Sequence, residues 1–228
     1  MTLRENLDCY ARTEQRKILT KLSESGDVSK HFFLTGGTAL SVFYLHHRIS
    51  EDIDLFTIDI INFSEILLWI RSVWPDSHVL IRSSQYFLSL SIKDVRVDFV
   101  HDPLSMKIDR HIFTWRNGMS LAIDNIKNIA SNKLCTLVSR TEPKDFVDFY
   151  FLFKKCSTIE LKDVLLNAKR KEAIFDDPPT AAYQIEENIR FVREHEELFP
   201  PLKIKLELDD FYKFFRDIVR YLYDMVSP

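Results

Sequence analysis

Residues Phe32 to Phe56 read FFLTGGTALSVFYLHHRISEDIDLF, and this stretch constrains the fold more than any other part of the chain. A short apolar strand meets a Gly-Gly-Thr turn, a helix follows, and a polar loop leads into a second strand that carries Asp52 and Asp54. Phe32, Phe33 and Leu34 predict a buried strand ending at Thr35. Gly36 and Gly37 lack a Cβ, so the backbone can turn sharply and admit a ligand closely. Thr38 is placed to cap a helix from Ala39 to about Leu45. Free N–H groups and partial positive charge at a helix N-terminus suit phosphate oxygens. Alone, Gly-Gly reads as a tight strand-to-helix turn; the acids that follow give it chemical meaning.

In a strand, residues two apart point to the same face. Ile53 and Leu55 therefore face the core, while Asp52 and Asp54 face a cleft together. Two neighbouring carboxylates repel, and a hard divalent ion with oxygen ligands, Mg²⁺ above all, removes that cost. A third acid stands on Val95–Val100, VRVDFV, where Val95, Val97 and Phe99 alternate with Arg96 and Asp98. His78–Arg82 and Tyr86–Ile92 precede it as strands, with Lys93-Asp94 as the hairpin turn. A pair plus one on adjacent strands is the ligand set for two metals about 4 Å apart that clamp an in-line phosphoryl displacement. Strand phase selects Asp98 over its neighbours Asp94 and Asp102. Arg96, on the same face, offers the alternative of a salt bridge to Asp98.

Gly-Gly-Thr-Ala-Leu followed by His-Arg-Ile-Ser-Glu-Asp-Ile-Asp-Leu-Phe resembles the AbiEii/AbiGii toxin family of nucleotidyltransferases, within the DNA polymerase β-like superfamily. A second match lies at Ser131–Phe153, with N-K-L and then R-T-E-P-K-D-F-V-D-F-Y-F-L. The resemblance covers about the first two thirds of the chain and fades beyond Lys155. It implies that Gly36, Gly37 and Thr38 hold a triphosphate, with Arg48 and Ser50 assisting on the nucleotide. It assigns Asp52 and Asp54 to the metals, with Asp98 as the third acid, and Mg²⁺ or alternatively Mn²⁺ as the ion. Lys133 would contact the phosphates, and Asp145 or Asp148 would complete the catalytic set. The implied reaction moves a nucleoside monophosphate from a nucleoside triphosphate to an RNA hydroxyl, transfer RNA ends included, or to a protein hydroxyl. A toxin of this kind works opposite a cognate antitoxin.

Taken without the resemblance, Lys133 is a solvated lysine on an amphipathic helix spanning Asp124–Ser139. Asp145 and Asp148 sit three apart on one helix face, amid Phe146, Val147, Phe149, Tyr150, Phe151 and Phe153. Acids so placed are paired or functional, because unpaired buried charge is expensive.

The expected fold is α+β: a nucleotidyltransferase core with a mixed sheet over residues 1–122, and a helical domain over 123–228 that completes the active site. Residues 3–23 predict a first helix ended near Gly26. Ser157–Glu160 has the pattern of a capping box for a helix reaching about Lys171. Asp176-Asp-Pro-Pro179 reads as a breaker before a helix from about Thr180 to Glu197, and Asp209 or Asp210 as the cap of a last helix to about Val226. Lys203–Leu208 alternates like an extra strand.

A net charge of −3, from 31 basic and 34 acidic residues, gives no global pull toward nucleic acid. Lys169, Arg170 and Lys171, with Arg190 and Arg193, read as solvated helix faces or a local basic patch. Cys9, Cys135 and Cys156 have no metal-ligand spacing and fit reduced thiols in the cytoplasm. No apolar run approaches membrane-spanning length, and Arg4, Glu5 and Asp8 interrupt any leader in Met1–Asp8. Two rival classes remain: a D-x-D glycosyltransferase acting on a nucleotide sugar, and a non-catalytic nucleotide-binding module of the same fold.

Overall fold

The computed structural model describes residues 3–83 and 86–225. The chain divides into two compact units, Met1–Asn125 and Ile126–Pro228.

The first unit opens with a 3-10 turn, Leu7–Cys9, and helices α1 (Thr13–Leu22) and α2 (Gly26–His31). Strand β1 (Phe33–Thr35) runs into α3 (Gly36–Thr38), which continues as a π-helix, Ala39–Leu45. Then come β2 (Ile53–Thr57), α4 (Phe63–Val73), β3 (His78–Ser83), β4 (Phe87–Ile92), β5 (Val95–His101), β6 (His111–Thr114) and β7 (Ser120–Ile123). The strands form one sheet in the order β3-β4-β5-β2-β1-β7-β6. The β2–β5 and β1–β7 pairs are parallel and the other four antiparallel, so the sheet is mixed, as the sequence predicts. Leu34, Ile53, Leu55, Val97 and Phe99 are fully buried, which is the core phase read from the alternation. Lys93 and Asp94 make the β4–β5 turn with φ of 49° and 59°, the left-handed pair that a two-residue hairpin requires.

The first helix is shorter than its periodicity suggests. Residues before Thr13 hold the loop around Ser50: Asn6 N–H donates to the Val42 carbonyl (2.9 Å), Ser50 N–H to the Cys9 carbonyl (2.9 Å), and Tyr10 bridges Ser50 in parallel. Gly26 starts a second helix instead of ending the first, because Ser25 caps it by accepting from Val28 N–H. The expectation includes no strand at β6 or β7; Arg110, Phe113 and Trp115 tie this region into the unit. Trp115 Nε1 donates to Glu5 (3.2 Å), which also accepts from Arg16 and Tyr10.

The second unit is helical: α5 (Ile126–Ser139), α6 (Pro143–Lys155), α7 (Leu161–Ala168), α8 (Pro178–Glu194) and α9 (Leu208–Asp224), with 3-10 turns at Ala173–Asp176 and Glu196–Leu198. Phe146, Phe149, Phe211 and Phe215 are fully buried, with Phe146 and Phe215 edge-to-face at 5.1 Å. The capping box at Ser157–Glu160 does not form; α7 begins after Glu160 with no side-chain cap. Pro178 and Pro179 occupy the first positions of α8, where a missing N–H costs nothing, so the helix after the break begins two residues before the expected Thr180. Glu207, not an aspartate, stands at the N-cap of α9. Residues 203–207 form no strand, and the expected end of α9 near Val226 lies outside the described residues.

Candidate active site

The Gly-Gly-Thr turn lies directly against the acid strand. Gly36 has φ of +66°, a left-handed conformation that favours glycine, and a Cβ there would fall 2.3 Å from Asp54 Oδ2. A Cβ on Gly37 would fall 2.2 Å from Arg48 Nη2 and 3.1 Å from Ser50 Oγ. Both glycines are therefore required by close approach of side chains from the following loop and strand. Thr38 is not the helix cap. The helical turn starts at Gly36 after Thr35, so Thr38 has helical angles, φ −69° and ψ −41°. Its hydroxyl donates to the Asp52 carbonyl and lies 2.9 Å from Ser50 Oγ, pinning the start of β2 to the turn. Arg48 and Ser50 are buried behind Gly37, with Arg48 Nη1 donating to the Ile49 carbonyl (2.8 Å). The π-helical segment that follows is a form often found at functional sites.

Register assembles a polar row across the sheet. Asp54 pairs with Thr35 on antiparallel β1 and with Asp98 on parallel β5, and Asp98 pairs with Ser89 on β4. Directly paired residues project from the same face, so Ser89, Asp98, Asp54 and Thr35 stand side by side. The row continues through Thr35 Oγ1, which donates to Asp124 Oδ2 (2.8 Å), and Arg110 Nε, which donates to Asp124 Oδ1 (3.1 Å). Asp52 lies just before β2, half-buried, two residues from Asp54.

Asp98 is only 8% exposed and both its oxygens are engaged. Arg96 Nε lies 3.0 and 3.1 Å from them, Arg96 Nη2 lies 3.0 Å from Oδ2, and Ser89 Oγ donates to Oδ1 at 2.5 Å. The salt bridge named as an alternative is thus present. The hydrogen bond that Arg96 donates to Asp98 pushes the arginine pKa up against partial desolvation, and the charges of Asp98, Asp52 and Asp54 add to it. The guanidinium lies in the field of all three acids. Among the described residues, no three carboxylate, imidazole or thiolate groups converge closely enough to hold one metal ion.

In the second unit, the structure brings together three more sequence-predicted residues. Lys133 is buried, not solvated: its Nζ lies 2.6 Å from Asp145 Oδ1 and 2.6 Å from Asp148 Oδ2. Arg140 Nε lies 2.6 Å from Asp145 Oδ2. Both aspartates are fully buried. Burial by itself would raise the Asp145 carboxyl, but the charges and hydrogen bonds of Lys133 and Arg140 outweigh it and hold the pKa below the ordinary aspartate value. The sequence reading gave Arg140, Arg110 and Asp124 no role. Arg140 stands five residues before Asp145, and only the fold of the α5–α6 corner brings the two together.

Comparison with known proteins agrees with this geometry. Residues 17–82, which hold the Gly-Gly-Thr turn and the Asp52/Asp54 strand, match the family model described as nucleotidyl transferase AbiEii toxin of a type IV toxin–antitoxin system. An uncharacterized protein of Aquifex aeolicus is 30% identical over 168 residues, spanning 70% of this chain and 75% of that one. Among solved structures, a nucleotidyltransferase-like protein from H. pylori superposes with a TM-score of 0.55 at 19% identity, over 95% of this chain and 96% of its own. MenT4, a nucleotidyltransferase toxin from Mycobacterium tuberculosis, superposes with a TM-score of 0.57 at 16% identity, over 92% and 82%. The two structures establish a shared fold, and the turn, the acid strand and the sequence matches together place the chain in the AbiEii family of nucleotidyltransferase toxins.

Proposed function

We propose that this enzyme transfers a nucleoside monophosphate from a nucleoside triphosphate to a hydroxyl of RNA, transfer RNA ends included, or of a protein, and that in the bacterial cytoplasm this activity is toxic unless an antitoxin opposes it. The observation that carries the reading is the in-register pair Asp54–Asp98 beside the Gly36 turn. It gathers oxygen ligands next to a backbone that only glycine allows so near.

The donor set fits a hard divalent cation. Asp52, Asp54 and Asp98 offer carboxylate oxygens alone, and the Arg96 guanidinium lies in their shared field. Mg²⁺, or Mn²⁺ in its place, would supply charge stabilisation for the transferring phosphoryl group. Gly36 and Gly37 let Asp54, Arg48 and Ser50 approach the turn, and main-chain N–H groups where the helix begins would meet phosphate oxygens. Thr38 fixes Asp52 relative to the turn through its carbonyl. Asp98 would orient the acceptor hydroxyl and take its proton. In this reading Lys133 serves the departing pyrophosphate, with Asp145 and Asp148 setting its position.

Calorimetry with a nucleotide panel and Mg²⁺ tests the proposal. A preference for triphosphates supports nucleotidyl transfer. A preference for sugar nucleotides would instead indicate glycosyl transfer, and triphosphate binding without turnover a non-catalytic nucleotide-binding module.

A further inference from the structure

We propose that Arg96 is a positioning residue: it holds Asp98 in a displaceable grip, and a divalent cation must release that grip before the acid row can serve it. The inference rests on the metal reading of Asp52, Asp54 and Asp98 given above.

The grip is specific. Two nitrogens of Arg96 engage both oxygens of Asp98, the bidentate arrangement that a guanidinium makes and an ammonium cannot. Ser89 Oγ fixes the same carboxylate from the neighbouring strand at 2.5 Å. Asp98 is therefore already oriented beside Asp54 before any ion arrives.

The grip is also releasable. The side chain of Arg96 is 47% exposed, against 11% for Asp98. The arginine can swing into solvent while the aspartate stays in the row. Its direct cross-strand neighbour is Ser91, too short to pin a guanidinium. Half-exposed ion pairs are weak, whereas a divalent ion with carboxylate ligands is a much stronger competitor for the same oxygens. The guanidinium lowers the repulsion between neighbouring carboxylates.

The test is Mn²⁺ affinity by calorimetry for the full chain, its Arg96→Met and Arg96→Lys variants, and Asp54→Asn, with circular dichroism to confirm folding. The account predicts that Arg96→Met binds Mn²⁺ at least about fivefold more tightly than the parent. Arg96→Lys, which keeps the charge but not the two-nitrogen grip, should fall between them. Asp54→Asn should lose binding. If Asp54→Asn loses binding but Arg96→Met binds no more tightly than the parent, the grip is overturned and the metal reading stands. If Arg96→Lys matches the parent while Arg96→Met is tighter, charge alone is at work and the grip is again overturned. If no variant binds Mn²⁺, the metal reading fails and the inference with it.

Discussion

A Cβ placed on Gly36 would lie 2.3 Å from Asp54 Oδ2, so the turn and the first strand of acids are one unit of structure. Gly36→Ala therefore carries two costs. The left-handed φ of +66° costs about 1–2 kcal/mol for an alanine, and the methyl group must push Asp54 out of line with Asp98. Thermal unfolding should show a modest loss, while triphosphate turnover should fall far more than the unfolded fraction explains. Turnover that merely tracks stability would show that Asp54 placement does not matter.

Asp54→Asn separates chemistry from folding. The substitution removes a charge that directly opposes Asp98 across parallel strands, a destabilising arrangement, and also some attraction to Arg96. The two effects oppose one another, so stability in urea should change by less than about 1 kcal/mol. Mg²⁺-dependent turnover should vanish. Retained turnover would remove Asp54 from the metal ligands.

Lys133→Met tests the buried ionic cluster of the second unit. A solvated lysine could be replaced within about 0.5 kcal/mol. Lys133 is instead 2.6 Å from each of two fully buried aspartates, and stripping the cation from such a group costs about 3–5 kcal/mol. Urea unfolding should show a loss of that order; a loss typical of a surface site would contradict the burial.

Acid titration checks the same cluster from the other side. The Asp145 pKa is held below its ordinary value of 3.8. Its ionised form therefore favours folding above that value, and the contribution drains away as pH falls through the lower folded pKa. Asp145→Asn should be less stable than the parent at neutral pH, and the two should converge in acid. A constant gap across that range would show that the ionised carboxylate is not what stabilises the cluster.

What the sequence made legible was local. Period-two alternation placed Ile53, Leu55, Val97 and Phe99 inward, and strand phase put Asp98 in the row with Asp54. Lys93-Asp94 announced its hairpin through turn chemistry alone. What stayed hidden depends on tertiary packing. Thr38 read as a cap because caps favour its residue type, yet Ser50 and Asp52 claim its hydroxyl from across the loop. Lys133 read as solvated because a helix pattern cannot reveal a partner on the next helix. β6 and β7 are four residues each, too short for alternation to stand out, and in β6 the apolar Ile112 is exposed.

If the enzyme acts as a toxin, induced expression should slow a bacterial host, and the Asp52→Asn/Asp54→Asn variant at equal abundance should not. Equal harm from both would point to aggregation or burden. Harmlessness of both in several hosts would favour a housekeeping transferase.

The most direct test of the central claim is labelling of a bacterial extract with nucleoside triphosphates carrying radioactive phosphorus at either the α or the γ position, in the presence of Mg²⁺. Nucleotidyl transfer predicts that an RNA or protein acquires label from the α position only, and that Asp54→Asn abolishes it. Label arriving from the γ position, or no label from either with the folded parent enzyme, would contradict the account.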